Sequence, residues 1–466
     1  MLWQILYRAM HNPTRGVSRL LSAVPLLVLL VSTISAGPVA ALDDPAARTQ
    51  VTTLDNGLVV LTLQDRTTPV VSFQMWVKVG SRDEARYTGL AHLFEHMMFR
   101  GSTNIPPEEH ARFINARGGR INAWTSNDFT VYHSDVTAES LPLVIDLEHE
   151  RVANLRITKE TLVHEREVVL EERRLRTEDS PQGRLYEALF ATAFVASPYR
   201  NPVIGWRSDV EKATVKTCQE FFDAYYSPNN IVISIVGDFE TDATLAQIRR
   251  TFGTLPSAEI PRNPTLEPEQ KGERRATVHF DVRAPKVAIA WHAPATGHED
   301  GPALDAMGQI LSGGRSSRLY RSLVYDKELA LSASGGYWEF NGLGLFMAIS
   351  TVRPGMSVPT VESVLLEELD VLKQELASEQ ELEKAKIQLE VFLVNGLATN
   401  HALATRVARD YATFGRIRPL EERLDAIRSV TVEDVQRVAR TYLESDRRTV
   451  VYVVPPPAAQ TEGGGA

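Results

Sequence analysis

At 466 residues the chain is too long for one ordinary hydrophobic core and divides into two or three domains, while 43% hydrophobic and 23% charged residues match a soluble globular protein. Setting aside residues 1–41, which hold three arginines and no acid, takes the formal charge from -9 to -12, too acidic for a nucleic-acid-binding surface. A single cysteine, Cys218, excludes an intrachain disulfide, a cysteine-based zinc site and a CxxC redox pair, so it reads as a small core residue.

In chain order, Arg8, Arg15 and Arg19 precede an apolar run from Leu20 to Ile34, and Val39-Ala40-Ala41 offers small residues for cleavage. Residues 1–41 are therefore expected to be a secretory signal peptide, placing the mature chain in the periplasm or cell envelope; an uncleaved anchor is the alternative. Leu54-Asp55-Asn56-Gly57-Leu58 signals a tight turn, followed by the strands Val59–Leu63 and Val70–Val79. A helix over Gly89–Phe99, a loop and a short helix follow, then paired strands at Arg120–Ser126 and Phe129–His133. Leu141–Asn154 and Lys159–Thr177 read as helices, and Ile231–Val236 as a buried strand ending at Gly237-Asp238. Prolines and charges mark 257–275 as a linker. Beyond it lie strands at Val278–Phe280, Val287–Trp291 and Thr449–Val454, with helices between, and 456–466 is expected to be a disordered tail.

A long-period repeat sets the expected architecture. Thr214-Val215 with Gln219 and Tyr225 before one strand recurs 217 residues later as Thr431-Val432 with Gln436 and Tyr442 before another. Arg66, Pro69 and Trp76 correspond to Arg283, Pro285 and Trp291 at offsets of 217, 216 and 215. Agreement at both ends of each half indicates duplication of an α+β unit. The fold class is thus α+β, with two homologous domains at 46–256 and 276–455, each a mainly antiparallel sheet packed with helices.

The chemistry concentrates at His92-Leu93-Phe94-Glu95-His96. At about 100° per residue a helix places positions i and i+4 on one face, so His92 and His96 can converge on one cation, with Glu95 between them in azimuth. This is the inverted zinc-peptidase motif. The repeat offset carries it onto Gln309-Ile310-Leu311-Ser312-Gly313, which has no metal-binding residue, so only the first domain can hold the metal. A catalytic zinc needs a third protein ligand. The acidic helix Glu165–Arg173 offers Glu165 and Glu172, seven apart and on one face, with Glu171 about 100° away from Glu172. Such a helix is more often a solvated surface. His133, His149 and His164 are rival ligands, the last two more at home on the surface.

The pentad, the later Glu165-Arg166-Glu167-Val168-Val169-Leu170-Glu171-Glu172, and Tyr226-Ser227-Pro228-Asn229-Asn230 with Gly237-Asp238 together resemble the pitrilysin/insulinase-like zinc metallopeptidases. The two-domain length is similar to the branch containing mitochondrial processing peptidase and its bacterial relatives. This resemblance implies that His92, His96 and Glu172 are zinc ligands, that Glu95 is the general base, and that Glu165 is a second carboxylate supporting the ligands. It also implies a clamshell around a short or unfolded peptide, held along the Asn122-Ala123 edge strand. Zinc would polarise the scissile carbonyl and acidify its water while Glu95 moves the proton.

Relatives carry an Arg and a Tyr in a second-domain segment that here reads Leu319–Leu331, with Val324 and Leu331 at those positions. Losing such donors weakens stabilisation of the developing oxyanion. Arg321 with Tyr320 or Tyr325 would substitute after a register slip. The preferred expectation is a heterodimer whose homologous partner supplies the Arg/Tyr pair; a homodimer, or a non-catalytic structural member of the family, are the alternatives.

Overall fold

The computed structural model describes residues 44–457 except Pro264. The expected signal peptide, and the expected tail beyond Pro457, lie outside the described residues. The apolar runs become two sheets within one continuous unit of the chain. The first contains β1 (Gln50–Thr53), β2 (Val59–Gln64), β3 (Val70–Val77), β4 (Arg120–Thr125), β5 (Thr130–Thr137) and β6 (Ile231–Gly237), in the order β1-β2-β6-β3-β5-β4. The second contains β7 (Arg274–His279), β8 (Lys286–Ala293), β9 (Ala330–Trp338), β10 (Gly344–Val352) and β11 (Arg448–Val454), in the order β7-β11-β8-β10-β9.

The duplication is visible in the pairing. In each sheet the last strand of the half inserts parallel to the first repeat strand and antiparallel to the next: β6 between β2 and β3, β11 between β7 and β8. Both are preceded by a capping-box helix, Val215–Tyr225 opened by Thr214 and Val432–Tyr442 opened by Thr431. The repeated threonines are thus N-caps, each accepting from a backbone N–H of the first turn.

Each sheet buries both faces. On the first, Phe73 and Met75 pack toward Leu93, Phe94, Val144 and Ile145. The opposite face, with Leu61, Trp76 and Val131, is covered by Val407 and Ala408 of helix Asn400–Phe414, which belongs to the second half of the chain. Reciprocally, Leu185 and Leu189 of helix Pro181–Ala193, from the first half, cover Ala288, Ala290, Val451 and Val453 of the second sheet. Each half lends one helix to the other's sheet. Fully burying a leucine contributes about 1.5–3 kcal/mol, so this exchange binds the halves through apolar packing.

Some elements differ from expectation. The strand from Val70 stops at Val77, where Val79 turns back to donate to the Val77 carbonyl. The strand begun near Phe129 runs on to Thr137. Helix Lys159–Arg173 does not continue as α-helix to Thr177; it widens into a π-turn over Arg174–Glu178, a local change of hydrogen-bond register that charge periodicity does not encode. No helix of the described residues is long and apolar enough to cross a membrane. Cys218 is buried.

Candidate active site

The pentad helix spans Leu90–Met97. It starts from Gly89 at φ 87, a left-handed conformation that glycine adopts freely; a Cβ there would lie 2.7 Å from the Ile204 carbonyl. The buried Glu84 carboxylate accepts from the backbone N–H groups of Gly89 and Ala91, both at 2.8 Å, which satisfies free donors at the positive end of the helix. On the inner face, Phe94 stacks on Phe221 and Phe222, and the Tyr132 hydroxyl donates to the Phe94 carbonyl at 3.2 Å. This packing turns His92 and His96 toward helix Lys159–Arg173.

There the Oε2 of Glu172 lies 3.5 Å from His92 Nε2 and 3.3 Å from His96 Nε2. Ligands about 2.1 Å from a tetrahedral zinc are spaced by about 3.4 Å, so these separations fit the ion. One atom from each of the three residues lies within 4.8 Å of the other two. Glu165, at 1% exposure, sits behind His96, with Oε2 3.4 Å from His96 Nδ1 and Oε1 2.5 Å from Arg100 Nε. It is positioned to hold the imidazole with its proton on Nδ1 and Nε2 free for a metal. Glu171 is instead paired with Arg174 on the exposed side of the helix.

Burial and the neighbouring His96 push His92 down to about 4, favouring the neutral imidazole a metal requires. Burial also opposes a charge on His96, but its bonds to Glu165 and Glu172 prevail and raise it to about 9. Burial would raise Glu165, yet bonds from His96 and His164 and the Arg100 charge hold it below the usual carboxylate range. Glu95 is raised by burial, opposed by a 2.7 Å hydrogen bond that Thr125 Oγ1 donates to its Oε2.

These groups open onto a cleft of about 810 Å³ lined by His92, Glu95, His96 and Glu172 together with Asn122 and Ala123. Both of the latter lie on β4, at the edge of its sheet, and the Ala123 N–H donates to Asn122 Oδ1 at 2.9 Å. Of the rival ligands, none lines the cleft. His164 is exposed and bonded to Glu165; His149 is half-buried against the Phe252 ring rather than on the surface; His133 lies beside His401.

Sequence reasoning missed several lining residues. Thr125 was accessible to it, since alternation puts Ala123 and Thr125 on one face of β4. Arg176, in the π-turn, pairs with Glu172 at 2.7 Å, while the rings of Tyr186 and Phe190 on helix Pro181–Ala193 pack at a tilt against Trp338. Trp338 is the sole described lining residue from the second half. Val324 is half-buried against the second core, Leu331 is 52% exposed, and no residue of Leu319–Leu331 lines the cleft, so Arg321, Tyr320 and Tyr325 do not take the missing Arg/Tyr positions there.

Comparison with known proteins agrees across both halves. The family model described as insulinase, peptidase family M16, matches residues 59–206, and that of the peptidase M16 inactive domain matches 212–389. A zinc protease PqqE of Helicobacter pylori is 32% identical over 409 residues, covering 86% of this chain and 92% of the relative. An uncharacterized zinc protease of Mycobacterium tuberculosis is 32% identical over 406 residues, with the same coverage. The crystal structure of a protease from Helicobacter pylori superposes with a TM-score of 0.84 at 31% identity, covering 87% of this chain and 99% of that one. With the family models filling most of the chain and the two-sheet architecture shared along its length, this protein belongs to the insulinase family of peptidases, M16.

Proposed function

We propose that the protein is a zinc-dependent endopeptidase that cleaves short or unfolded peptides in the bacterial periplasm or cell envelope. The observation that carries this reading is the convergence of His92, His96 and Glu172 beside the Glu95 carboxylate, in a cleft bordered by a free sheet edge. His92, His96 and Glu172 would hold zinc, with His96 oriented by Glu165. The ion supplies Lewis acidity toward the scissile carbonyl and lowers the pKa of water toward about 7. Glu95, which accepts a hydrogen bond from the Thr125 hydroxyl, takes the proton of the attacking water and passes it to the leaving amine.

An extended peptide adds to β4 as a further strand through main-chain hydrogen bonds, so binding depends little on substrate sequence. The Ala123 N–H, now satisfied by Asn122 Oδ1, becomes a donor to a substrate carbonyl when that side chain swings away. The four residues of the pentad and acidic helix favour an enzyme over a structural family member, which has no use for all of them. Cleavage of a quenched peptide, its loss on chelation and its return with zinc test this reading; hydrolysis indifferent to chelation would reject it.

The proposal extends to a heterodimer in which a homologous subunit brings an Arg/Tyr pair to the cleft. Its support is the position of Val324 and Leu331 outside the lining. Assaying the chain with and without a co-encoded paralogue decides it. Full activity from the lone chain would overturn the heterodimer and turn attention to Arg176 and Tyr186 as the chain's own cation and phenol.

A further inference from the structure

A second cluster of metal-binding side chains lies on the other face of the first sheet. His133 and Asp135 are two apart on β5 and therefore share a face. His401 stands at the start of helix Asn400–Phe414, the helix lent by the second half. One donor atom from each of the three lies within 4.8 Å of the others. His401 Nδ1 is 3.1 Å from Asp135 Oδ2, and its ring meets that of His133 edge to face at 4.8 Å.

A plain ion pair between His401 and Asp135 accounts for two of these residues and leaves the third unexplained. His133 keeps its Nδ1 buried with no hydrogen-bond partner. Buried polar atoms are nearly always satisfied, so His133, with an unbonded ring nitrogen and a donor atom within 4.8 Å of the His–Asp pair, offers that pair a third ligand. The cluster is also held in place. Gln74, the register partner of His133 on β3, donates from Nε2 to the His401 carbonyl and to Thr405 Oγ1, both at 3.0 Å, and Asn400 Nδ2 donates to the Val70 carbonyl at 3.0 Å. These bonds fix the backbone that carries His401 before any ligand arrives, as a preorganised site requires. Side-chain exposures of 40% for His401 and 38% for Asp135 leave a route from solvent and room for water at remaining coordination positions.

We propose that His133, Asp135 and His401 bind a second divalent transition-metal ion that staples the helix of the second half to the sheet of the first. Two imidazoles and one carboxylate suit zinc, cobalt or nickel rather than calcium or magnesium, which favour all-oxygen sets. The ion's place is structural. It lies across the sheet from the pentad helix, because His133 alternates with Tyr132, whose hydroxyl bonds that helix. By tying β5 to the helix it also stiffens the neighbour of β4, since Asn122 pairs with His133 in register.

The test uses the full chain carrying His92→Ala and His96→Ala, which removes both imidazoles of the cleft and leaves Glu172 alone of its three donors. Loaded with Co²⁺ and desalted, this protein should retain one equivalent with visible d–d absorption, and zinc should raise its Tm. Adding either His401→Asn or His133→Asn should abolish both signals, with circular dichroism showing that the metal-free fold is unchanged. His133→Asn leaves the helix-docking bonds intact, so it remains decisive if His401→Asn unfolds. Retention of no cobalt by the His92/His96 variant would overturn the proposal, as would equal retention in the His133→Asn variant.

Discussion

Glu165→Gln probes how the site holds its ligands. The substitution keeps shape and an acceptor for His96 Nδ1 but removes the charge that bonds Arg100, His164 and His96. Loss of a group that orients a metal-bound histidine weakens metal affinity about 10–100-fold, which is about 1.4–2.8 kcal/mol at 1.4 kcal/mol per decade. Stability should fall by about 2 kcal/mol, the scale of a hydrogen bond to a charged group. The cost stays below that of a fully buried broken pair because Arg100 keeps Glu108 as a partner. Activity measured against buffered free zinc would separate the roles. The expected curve shifts to higher zinc by that factor and climbs back to a near-wild-type plateau. An unshifted curve would refute the orienting role; a plateau depressed a hundredfold or more would show that Glu165 takes part in the chemistry directly.

Further outcomes follow from the same contacts. Thr125→Val removes the hydrogen bond that counters burial at Glu95, so the Glu95 pKa rises and the acidic limb of the kcat/KM profile moves to higher pH, read from rates between pH 5 and 9. Asp305 is pushed up to about 7 by burial and by Glu339. Its folded value lies above its unfolded one, so stability is lost as pH rises through that interval, and Asp305→Asn should raise Tm at pH 8 more than at pH 4. Gly89→Ala forces a left-handed residue against the Ile204 carbonyl and should cost about 1–3 kcal/mol in chemical denaturation, with zinc affinity falling alongside.

Much of the site was readable because its signals are local. The spacing of His92 and His96 sets a shared helix face, Glu165 and Glu172 repeat on one face of another helix, and short β-branched apolar runs such as Ile231–Val236 read as buried strands. The structure puts His92, His96 and Glu172 in one cleft with Asn122 and Ala123, and Glu165 behind His96. The choice between Glu165 and Glu172, left open by periodicity, depends on how the two helices cross. Other features carry no local signal. The β9–β10 hairpin begins with Ala-Leu-Ser-Ala-Ser-Gly-Gly, too small and polar to alternate. The exchange of helices Pro181–Ala193 and Asn400–Phe414 is a tertiary event, and so are Trp338 in the cleft and the meeting of His401 with Asp135 across a separation of 266 residues.

The central claim is that His92, His96 and Glu172 hold a zinc ion for which Glu95 serves as base. Zinc content and quenched-peptide cleavage, measured together on wild type, Glu95→Gln and Glu172→Gln, test it most directly. Glu95→Gln should keep the wild-type zinc content and lose about 10²–10⁴-fold in kcat, while Glu172→Gln should lose one equivalent of zinc together with cleavage. Unchanged zinc in Glu172→Gln, or undiminished cleavage by Glu95→Gln, would contradict the account.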